Sequence, residues 1–516
     1  MYLVSAAEMQ KMDGETIRSF GIPGRVLMEN AGRGTARVLL EKFPDVQGKK
    51  LGIIAGRGNN GGDGFVVARY AAQRGITVFV YLLSTTDRVT GDARANLDLL
   101  PSLKVPVIEI PDTTGLSDHK AAMAQQDIWV DAVFGTGLNS DIRGHYREAI
   151  DLINSFDRPV LAVDIPSGIN ADNGRTCGTC IRADVTVTFA FPKIGHAVFP
   201  GKTYTGTLEV IDIGIPPHIA DAVAPRQLLI TPAKVARSLI SRKPEAHKGD
   251  TGHLLVIAGS TGKTGAAAMT CLAAMRTGAG LVSLGAPESL NAVLETMLLE
   301  VMTVPLPETG EGTLSENAFG QIDRLLNGKR CVAVGPGLGI VADTGKLVRN
   351  LLRTCEIPMV IDADGLNNIA GHNTILEKLK APAVLTPHPG EMARLTGLSS
   401  ARVQRDRIGC ARDFATATGT IIVLKGAGTV IALPDGTVHV NPTGNPGMAS
   451  GGMGDVLTGI IAGLITQGYS PETSAVAGVY LHGAASDAIA ATGKPTGYLA
   501  GDVIKKIPGQ LGLLME

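Results

Sequence analysis

Short apolar, β-branched runs alternate with amphipathic stretches along the first part of this chain, and that rhythm leaves few folds open. Runs at 50–55, 77–83, 128–134, 159–165, 185–191 and 208–213 read as buried strands, with helical patterns such as 64–74 and 145–155 between them. A run that is apolar on both faces needs cover on both faces, and a parallel neighbour needs a crossover long enough for a helix. The alternation therefore predicts an α/β fold with a parallel sheet wrapped by helices. Residues 1–40 read as helical, with LMENAGRG (27–34) on a helix. After Ile213 the segment GIPPHIADAVAPRQLLITPAKV carries four prolines and no clear period, which predicts a linker at 216–230 between domains 1–215 and 231–516. A second α/β series starts near Gly252, with strands at 254–258, 331–334, 359–361, 383–385 and 421–424 and small-residue helices at 455–464 and 471–491.

Composition narrows the partners. The 516 residues include 65 glycines, an excess expected where many tight strand-to-helix loops bring backbone close to a ligand. Net charge is −1 and aromatics are 4%, so neither phosphate neutralisation nor base stacking favours a nucleic-acid partner. No stretch approaches the roughly 18 uncharged apolar residues of a membrane span, and the first twenty residues carry acids where a signal peptide would be apolar. A soluble, cytoplasmic protein is expected. Cys177 and Cys180 form a CxxC without a second pair at zinc spacing, and they read as two loop thiols.

Polar and glycine-rich residues cluster just after strands in both halves, where open α/β sheets bind ligands, so two separate sites are expected. In the first half AGRGNNGGDGF (55–65) follows a strand and opens a helix; Gly56, Gly58 and Gly61 fit a dinucleotide fingerprint. The acid expected after the second strand is poorly matched by Asp87. Asn59, Asn60 and Asp63 lie inside the loop, which an ordinary fingerprint does not require. WVDAVFGTGLNSDIRG (129–144) supplies Asp131 and a glycine loop, and VLAVDIPSGINADNG (160–174) supplies Asp164 and Ser167. Adjacent parallel strands would bring Asn60, Asp131 and Ser167 to one edge, an all-oxygen set with one charge that suits a hard, monovalent cation.

The strings GNNGGDG (58–64), DAVFGTGL (131–138), VDIPSG (163–168) and FAFPKIGH (189–196) resemble the amino-terminal, Rossmann-like domain of the NAD(P)HX epimerases across nearly all of 1–215. The resemblance implies a potassium ion held by Asn60, Asp131 and Ser167. It also implies hydrated nicotinamide dinucleotide over Asn59, Asn60, Gly61, Gly62 and Asp63, and over Gly135, Thr136, Gly137, Leu138, Asn139, Ser140 and Asp141. Asp164 would then be the acid–base residue, with Lys193 a second polar group.

The second half ends in NPTGNPGMASGGMGDVLTG (441–459). Gly451, Gly452 and Gly454 can turn several N–H groups to one point before a helix, which attracts phosphate. Asp455 beside them would repel phosphate as a ligand and suits a base that deprotonates a hydroxyl about to be phosphorylated. AGSTGKTGAA (258–267) is no Walker loop, since Ile257 stands where glycine is needed; Lys263 reads as a loop lysine, with Gly259, Ser260 and Ala267 near a pocket. GPGLG (335–339), DADGLN (362–367), TPHPGE (386–391) and KGAGT (425–429) follow further strands, and the prolines around His388 would aim its ring.

A late GxGD after a strand ending in Lys–Gly resembles the ribokinase-like superfamily. The fuller strings resemble ADP/ATP-dependent NAD(P)HX dehydratase over 230–516. That resemblance implies adenosine nucleotide at Lys425, Gly426, Ala427, Gly428, Thr429 and Gly454, with Mg²⁺ bridging its phosphates. It implies hydrated dinucleotide at Ala267, Gly337, His388 and Asp455, with Asp164 and Asp455 the catalytic pair of the whole chain. The fused order is similar to the bacterial bifunctional repair enzymes, which implies ADP as donor, NADHX and NADPHX as substrates and a homo-oligomer; the residues themselves leave ADP against ATP open. Two rival readings stand beside it: a ribokinase-like vitamin kinase, and a non-catalytic amino-terminal binding module.

Overall fold

The computed structural model describes residues 1–493 and 495–516. The chain divides into two compact units, Met1–Gln227 and Leu228–Glu516.

The first unit carries a sheet of seven strands, all parallel. In space they run Val107–Glu109, Thr77–Leu82, Lys50–Ala55, Ile128–Ala132, Val160–Val163, Val185–Phe189, Thr207–Ile211. The chain thus builds outward from Lys50–Ala55 and then crosses to its other side, which opens a crevice between the loops after Lys50–Ala55 and Ile128–Ala132. Ile128–Ala132 is buried along its whole length, and Ile54 lies level with Asp131. One face of the sheet packs Leu51, Ile53, Val80 and Val130 against Phe65 and Val67 of the helix Asn59–Gln73, and the other packs Ile54, Tyr81 and Trp129 against Ile150 and Ile153 of Gly144–Ser155. The amino-terminal residues form the helices Ala6–Glu15 and Gly24–Lys42.

The strand expected at 128–134 stops at Ala132. Val133 donates its N–H to Asp131 Oδ1 (3.3 Å) and Phe134 donates to Ser167 Oγ (2.8 Å), so side chains take the bonds a ladder would need. The strand Val107–Glu109 falls outside the sequence expectation because it is short and only partly buried. The proline-rich segment holds a helix, Pro217–Val223, with Pro217 in its first turn where no N–H is required.

In the second unit the strands run Met302–Leu306, Leu281–Pro287, His253–Ile257, Cys331–Val334, Met359–Ile361, Ala383–Leu385, Ile421–Leu424, Val430–Ala432, Val438–Val440. All pair parallel up to Ile421–Leu424, and the last two are antiparallel. The order again turns back on itself beside the first strand, between His253–Ile257 and Cys331–Val334. The helices Thr264–Thr277 and Met453–Thr466 meet closely on one face: a Cβ on Gly459 would stand 2.2 Å from the Thr270 carbonyl. Glycine is what lets these two backbones approach, and it fixes the height of the second helix over the sheet.

Candidate active sites

Asp131 ends a strand at the crevice of the first unit and is fully buried. Its carboxylate accepts Ser167 Oγ–H (2.6 Å) and Ser167 N–H (2.7 Å). Burial pushes the Asp131 carboxyl up to about 6, and the Ser167 and Val133 bonds pull it back down. Asn60 lies in the first turn of Asn59–Gln73. A Cβ on Gly135 would sit 3.3 Å from Asn60 Oδ1 and 3.4 Å from Asp164 Oδ2, so Asn60 and Asp164 flank the same bare glycine. The Asn60 amide nitrogen is buried without a hydrogen-bond partner. An amide can be turned over at no steric cost, so either end of this group is offered to whatever fills the space. Among the described residues no group of three His, Cys, Asp or Glu side chains gathers as transition-metal ligands. Asp131, Ser167 and the Phe134 carbonyl form one connected set of oxygens, the Ser167 hydroxyl lying 2.6 Å from Asp131 Oδ1 and 3.2 Å from that carbonyl.

Asp164 follows the strand Val160–Val163 with φ of +65°, a left-handed backbone that Asp tolerates better than most residues. Its carboxylate receives Lys193 Nζ (2.6 Å) and Thr188 Oγ1 (3.2 Å). Lys193 is fully buried and donates also to Thr188 Oγ1 (2.9 Å) and the Phe189 carbonyl (3.1 Å). Three acids share this one ammonium. Burial raises Asp63 well above the carboxylate range, with the Asp164 and Asp13 charges adding to it. Burial lifts Asp13 to about 6 against the pull of Lys193. His196 is held down to about 3 by burial and by Lys193, so its ring is neutral. Asp13 escaped the sequence reading because it lies on the first helix, far along the chain from every glycine loop.

Asn59, Gly61, Gly62 and Asp63 lie on the helix Asn59–Gln73 rather than in a loop, and a Cβ on Gly61 would meet the Gly56 carbonyl at 1.9 Å. Gly137, Asn139, Ser140 and Asp141 are exposed on the rim of the next loop. Cys177 and Cys180 are free and buried, and burial raises both thiols, Cys180 to about 11.

In the second unit the glycine run ends at Gly452, whose φ of +88° starts the helix Met453–Thr466. Asp455 sits in its first turn. Burial raises its carboxyl to about 6, with Asp362 adding and Lys425 opposing. Lys425 turns inward: its ammonium meets Asp362 Oδ1 (2.6 Å) and approaches Glu391 Oε2 (3.9 Å). Burial alone would lower Lys425, but Asp362 and Glu391 outweigh it and leave the ammonium held above its usual range. Thr458 Oγ1 donates to the other oxygen of Asp362 (2.8 Å). Of the loop KGAGT, Gly426 and Ala427 remain exposed. Arg407 pins that loop, donating to the Leu424 carbonyl (2.9 Å) and to the Ala427 carbonyl.

His388 caps the helix Pro389–Thr396. Its Nδ1 accepts the N–H groups of Gly390 (3.0 Å) and Glu391 (3.3 Å), while Glu391 Oε2 accepts the His388 N–H (2.8 Å). With Nδ1 so used, a neutral ring carries its proton on Nε2, 3.3 Å from Glu391 Oε1. Lys263, in the loop before Thr264–Thr277, pairs with Asp364 (3.0 Å), which also accepts the Gly339 N–H (2.8 Å). Ser260 Oγ donates to the Gly337 carbonyl (2.6 Å), and Ala267 is fully buried nearby in sequence on the helix Thr264–Thr277. The loop before the glycines is held by Asp487, which accepts from Gly444 N–H (2.9 Å) and Asn445 Nδ2 (2.9 Å). Glu391, Thr458, Arg407 and Asp487 were not singled out from sequence: Arg407 and Asp487 stand outside every glycine-rich string, and Glu391 in TPHPGE and Thr458 in GDVLTG gain their role only through contact with Lys425 and Asp362.

Comparison with known proteins follows the same division. Residues 254–509 match a family model described as NAD(P)H-hydrate dehydratase, and residues 24–195 match one described as YjeF-related protein N-terminus. A bifunctional NAD(P)H-hydrate repair enzyme of Moorella thermoacetica is 43% identical over 100% of this chain and 98% of its own. That of Escherichia coli K12 is 36% identical over 97% of this chain and 92% of its own. Among solved structures, the ADP/ATP-dependent NAD(P)H-hydrate dehydratase of Bacillus subtilis, co-crystallised with ATP/Mg²⁺, is 32% identical, with a TM-score of 0.49 over 56% of this chain and 98% of that one.

Proposed function

We infer the reactions of this chain from the fact that it belongs to the bifunctional NAD(P)H-hydrate repair enzymes. It is an enzyme of metabolite repair, joining an epimerase-related unit to a dehydratase unit that returns hydrated NADH and NADPH to use. We propose ADP as the donor, with AMP and phosphate released. The observation that carries the dehydratase reading is Asp455: a buried carboxylate in the first turn of a helix, directly after a glycine nest, with Lys425 and Asp362 beside it. Hydroxide is a poor leaving group. Asp455 takes the proton of the ring hydroxyl as its oxygen attacks the terminal phosphorus of ADP, and AMP departs. The ring nitrogen's lone pair then expels phosphate, and loss of the proton on the adjacent carbon restores the double bond.

Exposed backbone at Gly426 and Ala427, with Gly454, would receive the nucleotide; Lys425 supports the site through its ion pair with Asp362 and through charge on Asp455. Mg²⁺ bound to the phosphates would neutralise their charge. Gly337, Ala267 and His388 would face the hydrated dinucleotide, His388 with the proton on Nε2. In the first unit Asp164, oriented by Lys193 and Thr188, would serve as the acid–base residue at the hydrated ring carbon while Asn60, Asp131 and Ser167 hold potassium. One fixed pocket can offer only one epimer's hydroxyl to the donor, which is why the second activity is needed.

The test is to incubate mixed hydrate epimers with ADP, ATP or neither and to follow reduced-nicotinamide absorbance. Asp455→Asn should lower the ADP-driven recovery about 10²–10⁴-fold. Near-wild-type recovery by that variant would remove Asp455 from the mechanism, and a stable phosphorylated product in place of free phosphate would mark a vitamin kinase.

A further inference from the structure

Beside the Gly337–His388 side of the second site lies an open cavity of about 700 Å³ lined by cations. Lys346 and Arg349 come from the helix Ala342–Thr354, and Arg394 from Pro389–Thr396, the helix that His388 caps. Among the described residues that line it there is no Asp or Glu. The two guanidinium groups are spent on neutral oxygens: Arg349 donates to the Asn368 carbonyl (3.1 Å) and Arg394 to Asn367 Oδ1 (2.9 Å). Lys346 alone is shared with a carboxylate, Glu316 at 3.5 Å and outside the lining.

The wall of the cavity is tied to the loops that carry Gly337 and His388. Asn368 Nδ2 donates to the Gly339 carbonyl (2.9 Å), and Asn367 Nδ2 donates to Asp364 Oδ1 (3.1 Å), the carboxylate that also binds Gly339 N–H. A Cβ on Gly390 would lie 4.0 Å from Arg394 and 2.9 Å from the His388 ring, so Arg394 and His388 border the same backbone step. The donor loop 425–429 belongs to a different strand end, and its lysine is committed to Asp362. The charge here therefore faces the substrate rather than the donor.

A hydrated dinucleotide whose reacting ring lies at Asp455 extends its adenosine half well beyond the reacting atoms. We propose that Arg349, Arg394 and Lys346 form a subsite for a phosphate monoester on that adenosine half, so that this unit favours the substrate carrying the 2′-phosphate, NADPHX, over NADHX. The proposal rests on the reading of the Gly337–His388 side as the hydrated-dinucleotide site. Arg349 and Arg394 each use one N–H on Asn368 or Asn367, and a dianionic phosphate in the cavity would meet the paired donors that guanidinium offers such oxygens.

The experiment uses the full chain with R349Q/R394Q, and measures kcat and KM for NADPHX and NADHX separately at saturating ADP. The KM for NADPHX should rise about tenfold or more, the loss expected for charge-assisted bonds, while kcat and the NADHX constants stay within about twofold. The R349K/R394K variant should recover part of the preference, since charge remains without the fork. An unchanged kcat with NADHX, read in the same samples, reports that the second unit of the variant is folded. Equal effects on both substrates, or none on either, would overturn the subsite. Should the wild-type chain recover neither hydrate with ADP or ATP, the parent reading fails instead. Calorimetric titration of wild type and variant with adenosine 2′,5′-bisphosphate against adenosine 5′-monophosphate then decides the subsite alone: it stands only if the variant selectively loses affinity for the bisphosphate.

Discussion

Asp455 and Asp164 use opposite solutions to the same problem of keeping a carboxylate in a dry crevice. Asp164 takes a full ion pair, while Asp455 has Lys425 at a remove, because Asp362 already holds that ammonium. Burial, with the Asp362 charge adding and Lys425 only partly opposing, pushes the Asp455 carboxyl up to about 6. The proposed base acts only when deprotonated, so dehydratase kcat should fall as pH drops through about 6 and level off above it, which a pH–rate profile at saturating substrate will show. Lys193→Met would strand the Asp164 charge in the interior. Breaking a buried pair in this way costs about 3–5 kcal/mol, so denaturant unfolding of the first unit should shift accordingly and epimer exchange should vanish, with ADP-driven recovery by the second unit intact. At this scale sequence was uneven. Residues inside glycine strings, such as Asn60, Asp131, Asp164, Ser167 and Asp455, stood out because glycine and carboxylate together are costly without a use. The partners Thr458, Asp362, Glu391 and Lys425 lie in separate segments of the chain, and only strand order brings them together.

Many strands buried along their length announced themselves as unbroken apolar runs, and so did the edge strand Thr207–Ile211; the buried strands Leu281–Pro287, Val430–Ala432 and Val438–Val440 and two further edge strands did not. Val107–Glu109 and Met302–Leu306 are partly exposed, so their sequences mix polar and apolar residues as loops do. The helix Pro217–Val223 was hidden by its own prolines, which are harmless in a first turn. The pairing of Thr264–Thr277 with Met453–Thr466 was equally silent, because a glycine in a helix looks like a weakness until its neighbour is known. Gly459→Val would force a side chain against the Thr270 carbonyl and the Ala273 methyl, 2.2 and 2.7 Å from its Cβ position. Such overpacking costs about 1–3 kcal/mol and lifts the helix one turn below Asp455. We expect a lower melting temperature for the second unit and a fall in dehydratase kcat, with epimer exchange unchanged; thermal unfolding and the two assays in parallel will check this.

Across the whole molecule, each unit repeats one plan: a parallel sheet that builds out from its first strand, turns back, and leaves a crevice where its order reverses. The division into two α/β parts was legible in sequence because each part restarts the same rhythm after the prolines. Two chemistries in one chain make a partition experiment possible. Asp164→Asn should leave one hydrate epimer unconsumed after prolonged incubation with ADP while the other disappears at the wild-type rate. Chromatographic separation of the epimers will measure it, and consumption of both at wild-type rates would exclude Asp164 from the exchange.

Asparagine is chosen at that position for a reason rooted in the backbone. The bend at residue 164 has a positive φ, and glycine, asparagine and aspartate enter that region far more readily than branched or bulky residues. A lineage that abandoned the chemistry while keeping the architecture would therefore drift to asparagine or glycine here before anything else. Silent descendants of this unit should be recognisable by one or other of those two residues at this bend, a fossil of the lost reaction preserved by stereochemistry.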